Sequence, residues 1–207
     1  MREELIGGAI LAGGKSSRMG RPKDLLPWRG GSMISELARE VTACQLSCLI
    51  VSNHPEQLPA DITHYRGVTI VPDAVPSAGP VSGLVTAFRR TTEEVLLVLS
   101  CDLPFMDREQ IHRLLDYAKG VQDWDVIAVQ EQGRLHPLVA LYHRRTQLFW
   151  EDALRQKQLR LMSTLAELRV HETPAGLLDP WAVFNANTPE EYQMAIEEER
   201  KRKAGPR

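Results

Sequence analysis

Gly8-Ala9-Ile10-Leu11-Ala12-Gly13-Gly14-Lys15-Ser16-Ser17-Arg18-Met19-Gly20-Arg21-Pro22-Lys23-Asp24-Leu25-Leu26-Pro27-Trp28 passes from an apolar run through small residues into clustered positive charge. The apolar part suits a buried first strand. The paired glycines let bare backbone N–H groups approach an anion that a Cβ would keep away. Lys15, Arg18, Arg21 and Lys23 then place four cations within nine residues, with Asp24 the one acid beside them. A solvated loop has a similar composition, but the strand and the Gly-Gly before this cluster favour a phosphate-binding loop. Spacing excludes two familiar versions of it. A Walker-type loop needs Gly, four residues and then Gly-Lys-Ser/Thr; counting back from Gly14 lands on Ala9, and the Gly8–Gly13 pair is followed by Gly14 instead of lysine. The G-x-G-x-x-G pattern is absent too, because Gly13, Gly14 and Gly20 are spaced differently.

Outward from this loop, Gly30-Gly31 makes a turn and Ser32 caps a helix whose apolar positions Ile34, Leu37, Ala38 and Val41 recur at helical spacing. Cys48-Leu49-Ile50-Val51-Ser52 reads as a strand ending in Asn53-His54-Pro55, and Val68-Thr69-Ile70-Val71 as another ending in Pro72-Asp73. In an open α/β sheet such strand ends form the edge where ligands collect, although Asn53 is equally readable as ordinary turn chemistry. A helix starts at Pro80, with Val81, Leu84, Val85 and Phe88 on one face and Gly83 read as a packing glycine. Between Glu94 and Ser100 the chain is continuously apolar, as in a doubly buried central strand. It delivers Asp102, which is poorly placed for core packing and well placed for a cation in the crevice. Asp107 and Gln110 have capping-box spacing and are assigned to structure.

Asp125 to Val129 and Leu138 to Tyr142 suit an antiparallel hairpin with Gly133 at its tip. Helices are expected over 145–156 and 159–168, then a short edge strand over 169–173. Thr188, Pro189 and Glu191 form a complete helix-start signal, which leaves Asn185 and Asn187 without a structural account. Strands alternating with helices predict a three-layer α/β/α, Rossmann-like arrangement, its sheet mainly parallel with an antiparallel element.

With 207 residues, 43% hydrophobic and 25% charged, the chain can bury one substantial core and is short for two. A single domain over 1–207 is expected, its core at about 5–196 and its charged C-terminal stretch a fraying, solvated helix end. A net charge of −2 gives no global attraction to nucleic acid or anionic membrane, so affinity for phosphate must be local. No stretch approaches the ~20 apolar residues of a membrane span, and no signal-peptide pattern opens the chain, so a cytoplasmic location is expected. Cys44, Cys48 and Cys101 are odd in number and lack a zinc-like partner set; buried or inert thiols fit best.

Leu-Ala-Gly-Gly at Leu11–Gly14, Arg18-Met19-Gly20 and the following Lys23 resemble the signature of the molybdenum cofactor guanylyltransferase family, a branch of the nucleotidyltransferases. Asp-x-x-Pro-x-x-Gly-Pro-x-x-Gly from Asp73 to Gly83, Cys101-Asp102-x-Pro104, and Asn185-x-Asn187-Thr-Pro-Glu-Glu are similar to three further motifs of that family. One departure is the order Lys23-Asp24 where many members carry Asp-Lys, a variant that looks as much like the related cytidylyltransferases.

The resemblance implies a nucleotidyltransferase domain that moves GMP from Mg-GTP to the phosphate of molybdenum-bound molybdopterin. It implies Leu11, Ala12, Gly13, Gly14, Lys23, Asn53, Asp73 and Asp102 at the nucleotide, Asp102 on Mg²⁺, and Arg18 and Lys23 with Asp102 in catalysis. His136, Asn185 and Asn187 would lie near the acceptor; His136 is also readable as a strand's hydrogen-bond partner, and Trp181 either stacks on the pterin or is ordinary packing. Transient contact with cofactor-biosynthesis proteins or apo-molybdoenzymes is a further implication. Three other readings stay open at this level: a cytidylyltransferase using CTP, a sugar-phosphate nucleotidyltransferase, and a nucleotide-binding module without turnover.

Overall fold

The computed structural model describes residues 5–13, 23–76 and 78–205. Gly14, Lys15, Arg18 and Arg21 of the opening loop lie outside the described residues. The strands are β1 (Ile6–Ala12), β2 (Pro27–Trp28), β3 (Gly31–Ser32), β4 (Cys48–Ser52), β5 (Val68–Pro72), β6 (Val95–Ser100), β7 (Val126–Glu131), β8 (Arg134–His143) and β9 (Val170–Glu172). The helices are α1 (Met33–Ala43), α2 (Pro80–Arg90), α3 (Arg108–Ala118), α4 (Gln147–Arg155), α5 (Leu161–Leu165) and α6 (Pro189–Ala204).

Seven strands form one sheet in the order β5-β4-β1-β6-β8-β7-β9. β1 runs parallel to β4 and β6, and β4 parallel to β5. β8 is antiparallel to both of its neighbours, and β9 is parallel to β7. Of the seven, β8 alone therefore points the other way. The register sets Ala12 beside Ser52, Ser52 beside Pro72 and Leu11 beside Ser100, so the chain leaves β1, β4, β5 and β6 along one edge. Strand order reverses between β1 and β6, and a crevice opens at such a switch point.

Alternation along β1 explains the layers. Ile10 joins Ile34, Leu37, Val41, Ile111 and Leu114 under α1 and α3, while Ala9 and Leu11 join Val81, Leu84, Val85, Phe88 and Trp150 under α2 and α4. Successive strand side chains point to opposite faces, so a strand covered on both sides must be apolar throughout. β6 fits this rule: Val95 to Leu99 are all buried. Gly83 is a packing glycine, as a Cβ there would stand 3.0 Å from a Leu11 methyl.

Local signals set the helix starts. Ser32 Oγ accepts from Ser35 N, Asp107 Oδ1 from Gln110 N, and Thr188 with Glu191 completes a reciprocal capping box. Gln110 departs from its expected role: its Oε1 accepts from Asp179 N, so it ties α3 to a distant loop instead of capping its own helix. The 145–156 segment opens as a 3-10 turn, Arg144–Thr146, and over 159–168 only Leu161–Leu165 is α-helical. The charged C-terminal stretch is helical through Ala204. Arg29 binds Glu199 with two hydrogen bonds of 3.0 and 2.9 Å, and Arg202 pairs with Asp179 while its guanidinium lies 4.8 Å from the Phe105 ring. These partners are remote in sequence, which is why composition alone suggested a frayed end. Among the described residues no helix is long and apolar enough to cross a membrane.

A satellite cluster of Leu26, Trp28, Met33, Phe105, Ala186 and Ala195 joins the segment after the loop to α6. It brings Lys23 toward Asn187.

Candidate active site

Asp102 leaves β6 at the crevice and is 4% exposed. Its Oδ2 accepts from Lys23 Nζ at 3.0 Å, and its Oδ1 accepts a short hydrogen bond from Ser100 Oγ. A carboxylate this buried demands charged or hydrogen-bonded partners. Lys23 Nζ also donates to Asn187 Oδ1 at 2.6 Å, and Ala186 N donates to Asp102 O at 3.0 Å. The capping box secures the same segment, since Glu191 Oε2 accepts from Asn187 N at 2.7 Å and Thr188 N at 3.0 Å. The fold thus brings Lys23, Asp102 and Asn187 into one network. Arg18 and Gly14 lie outside the described residues.

Gly13 follows β1 and abuts Asn53, which follows β4. A Cβ on Gly13 would stand 2.6 Å from Asn53 Nδ2, a contact real Cβ atoms do not make. A side chain at position 13 would therefore push the Asn53 amide aside. Asp73 Oδ1 accepts from Val75 N at 3.1 Å, from Thr86 Oγ1 at 3.2 Å and from Ser82 Oγ. That oxygen is committed to the start of α2. Leu11 and Ala12 are strand residues whose side chains sit in opposite core layers, so only their backbone can meet a ligand.

Next to this edge lies a cavity of about 480 Å³ between the β7–β8 hairpin, the 3-10 turn Pro180–Val183 and the start of α6. Arg134, His136, Trp181, Phe184, Asn185 and Asn187 are among its lining residues. The pairing of β7 with β8 shifts register between Ala128 and Val129, which sets His136 opposite Val129 and accommodates Pro137 within the strand. A bulge re-aims side chains in this way. Burial, then the charge of Arg134, holds the His136 imidazole below its ordinary range, so it is neutral at pH 7. Trp181 is packed edgewise by Phe105 at 5.3 Å and lies 4.8 Å from Phe184 between ring centroids. Asn185 Nδ2 donates to Val183 O at 3.0 Å. Asn187 belongs to both the cavity and the Lys23 network.

One further contributor, Ser100, escaped the sequence reading, because a serine ending a buried strand carries no signal of the carboxylate two positions on. Burial raises the Asp24 carboxyl above the usual range despite the adjacent Lys23. Cys44, Cys48 and Cys101 are free and buried. Burial pushes the Cys44 thiol up to about 11 and Cys48 to about 12, so neither is a nucleophile at pH 7. Among the described residues no group of three or more His, Cys, Asp or Glu side chains could hold a metal by itself. Mg²⁺ commonly takes one or two carboxylates and fills its shell with water and substrate phosphates. One buried carboxylate with an ammonium already on Oδ2 fits that mode.

A mostly parallel sheet, a glycine packed against Asn53 after its first strand and a lysine–aspartate pair at its switch point describe a nucleotidyltransferase. Residues 8–171 match the MobA-like NTP transferase domain, and the chain belongs to this family. It is 31% identical over 193 residues to a probable molybdenum cofactor guanylyltransferase of Carboxydothermus hydrogenoformans, covering 91% of this chain and 93% of the relative. A Bacillus subtilis protein of the same description is 31% identical over 196 residues, covering 91% and 93%. Among solved structures, molybdopterin-guanine dinucleotide biosynthesis protein A from Archaeoglobus fulgidus superposes with a TM-score of 0.76 at 22% identity, covering 93% of this chain and 97% of that one. A 4-diphosphocytidyl-2C-methyl-D-erythritol synthase from Anaerococcus prevotii shares the fold with a TM-score of 0.68 at 11% identity, covering 96% and 99%.

Proposed function

We propose that this enzyme transfers GMP from Mg-GTP to the terminal phosphate of molybdenum-bound molybdopterin, forming the guanine dinucleotide and releasing pyrophosphate. The observation that carries the reading is Lys23, whose ammonium joins Asp102 at the sheet edge to Asn187 at the cavity wall. The names of the curated relatives support the choice of nucleotide and acceptor.

In this reading an acceptor phosphate oxygen attacks the α-phosphorus, and the bond from that phosphorus to the bridging oxygen of pyrophosphate breaks. A phosphate monoester with a second pKa near 6 is largely dianionic at neutral pH, so no strong general base is required. Positioning and charge neutralisation remain as the protein's tasks. Asp102 would hold Mg²⁺, which supplies Lewis-acid stabilisation of the phosphates when bound. Ser100 fixes one oxygen of that carboxylate and leaves the other for a cation. Lys23, with Arg18 from the opening loop, would offset charge on the α-phosphate and the departing pyrophosphate. Gly13 would offer bare backbone to the nucleotide beside Asn53, with Asp73 at the neighbouring strand end. The cavity would receive the acceptor, with Arg134 supplying positive charge and Trp181 and Phe184 supplying flat apolar surface.

The test is transfer of label. Purified enzyme with Mg²⁺, molybdenum-loaded molybdopterin and α-phosphate-labelled GTP should move the label onto the pterin, with one pyrophosphate released per transfer. Binding of GTP without label transfer or pyrophosphate release would favour a module without turnover.

A further inference from the structure

Lys23 Nζ stands between two acceptors of different character. One is an anion, Asp102 Oδ2 at 3.0 Å; the other is a neutral amide oxygen, Asn187 Oδ1 at 2.6 Å. The backbone that carries this amide is held independently of Lys23, through the bonds from Asn187 N and Thr188 N to Glu191 and from Ala186 N to the Asp102 carbonyl. A divalent cation arriving at Asp102 Oδ2 would meet the ammonium on the same oxygen. Like charges at such separation repel strongly where water is scarce, so the ammonium must yield that oxygen. The amide oxygen is a partner it can keep.

We propose that Asn187 is a positioning residue that retains Lys23 when a divalent cation takes its place on Asp102. Ammonium and metal then exchange on the carboxylate without Lys23 being lost to solvent, and the lysine stays at the border between the sheet edge and the cavity. The inference rests on the reading of Asp102 as the metal ligand. It makes the Lys23–Asn187 bond more valuable with metal bound than without it, because in the metal-bound state it replaces the Asp102 bond instead of supplementing it. A merely structural amide would have the opposite effect: it would strengthen the Lys23–Asp102 pair and hinder the metal.

The experiment is Mn²⁺ binding to the full chain without nucleotide, followed by the free-ion electron paramagnetic resonance signal. It compares the unmodified protein with Lys23→Gln, Asn187→Ala, the double variant and Asp102→Asn. Lys23→Gln should tighten Mn²⁺ binding by roughly tenfold, because the competing cation is gone. Asn187→Ala should weaken it by roughly threefold or more while Lys23 is present and leave it unchanged in the Lys23→Gln background, the pattern by which a double-mutant cycle isolates a pair. Thermal unfolding is recorded for each protein, and Asn187→Ser replaces the alanine variant if that one does not fold. Tighter Mn²⁺ binding in Asn187→Ala, or the same effect with and without Lys23, would overturn the inference while leaving Asp102 as the ligand. Mn²⁺ binding indifferent to Asp102→Asn would overturn the metal reading and the inference with it.

Discussion

The sheet edge and the cavity beside it are built in different ways. Gly13, Asn53 and Asp102 each follow a buried strand and Asp73 follows the edge strand β5, and the parallel register of β1, β4, β5 and β6 brings those ends into line. The cavity is assembled from the β7–β8 hairpin and, well further along the chain, a 3-10 turn closely followed by the start of α6. The edge inherits its rigidity from a buried sheet, whereas the cavity depends on a bulge in β7–β8 and on aromatic contacts among Phe105, Trp181 and Phe184. The proposed function would put the chemistry at the first and discrimination of an acceptor at the second. Asn187 and Lys23 are where the two regions meet.

Variants can break this division of labour. Asp102→Asn should lower turnover by a factor on the order of 100 or more with the melting temperature nearly kept, because an amide cannot replace an anionic ligand. Near-normal rates at saturating Mg²⁺ would remove Asp102 from the chemistry. A smaller effect is expected from Gly13→Ala, whose Cβ would displace the Asn53 amide. The KM for nucleotide should rise by about tenfold, the loss of one or two hydrogen bonds, and the preference for GTP over CTP should narrow. An unchanged KM and preference would show that the Gly13–Asn53 contact does not serve the nucleotide.

Arg134→Ala sharpens the comparison from the other side. Arg134 is an exposed cavity residue, so its removal should raise the KM for the acceptor by roughly fivefold, leave the KM for GTP alone and cost little stability. Equal changes in both constants would mean that the two regions are not separate sites. The smallest effect concerns pH. Burial and Arg134 keep the His136 imidazole below its ordinary range in the fold, so between that depressed value and about 6.5 the unfolded chain binds the proton more readily. Stability should therefore rise with pH through this window and be lost as the pH falls below about 6.5. His136→Gln should flatten that part of the curve in urea unfolding; an unaltered slope would contradict it.

The same contrast decides how much could be read from sequence. Strand ends, the caps Ser32, Asp107 and Thr188, and the apolar β6 are local patterns, and the three-layer fold with its antiparallel element follows from their order. Asp102 was legible because a carboxylate after a buried strand has few structural uses. The Lys23–Asn187 bond was not, since the two are 164 positions apart and no spacing rule links them. The motif that singled out Asn187 offered a role at the acceptor; the fold ties it to Lys23 as well. The hydrogen bonds of Asp73 to α2, the reach of Gln110 to Asp179 and the docking of the charged end of α6 are likewise tertiary facts. In Leu11 and Ala12 the sequence located a strand correctly while leaving open that both side chains belong to the core.

The most direct measurement is a competition. Enzyme, Mg²⁺ and one pool of molybdenum-loaded molybdopterin are given GTP, CTP and ATP at equal concentration, and the products are identified by mass spectrometry alongside the pyrophosphate released. The account predicts the guanine dinucleotide as the dominant product, matched one to one by pyrophosphate. A dominant cytosine dinucleotide would contradict it and make the Lys23-Asp24 order the better guide to the base.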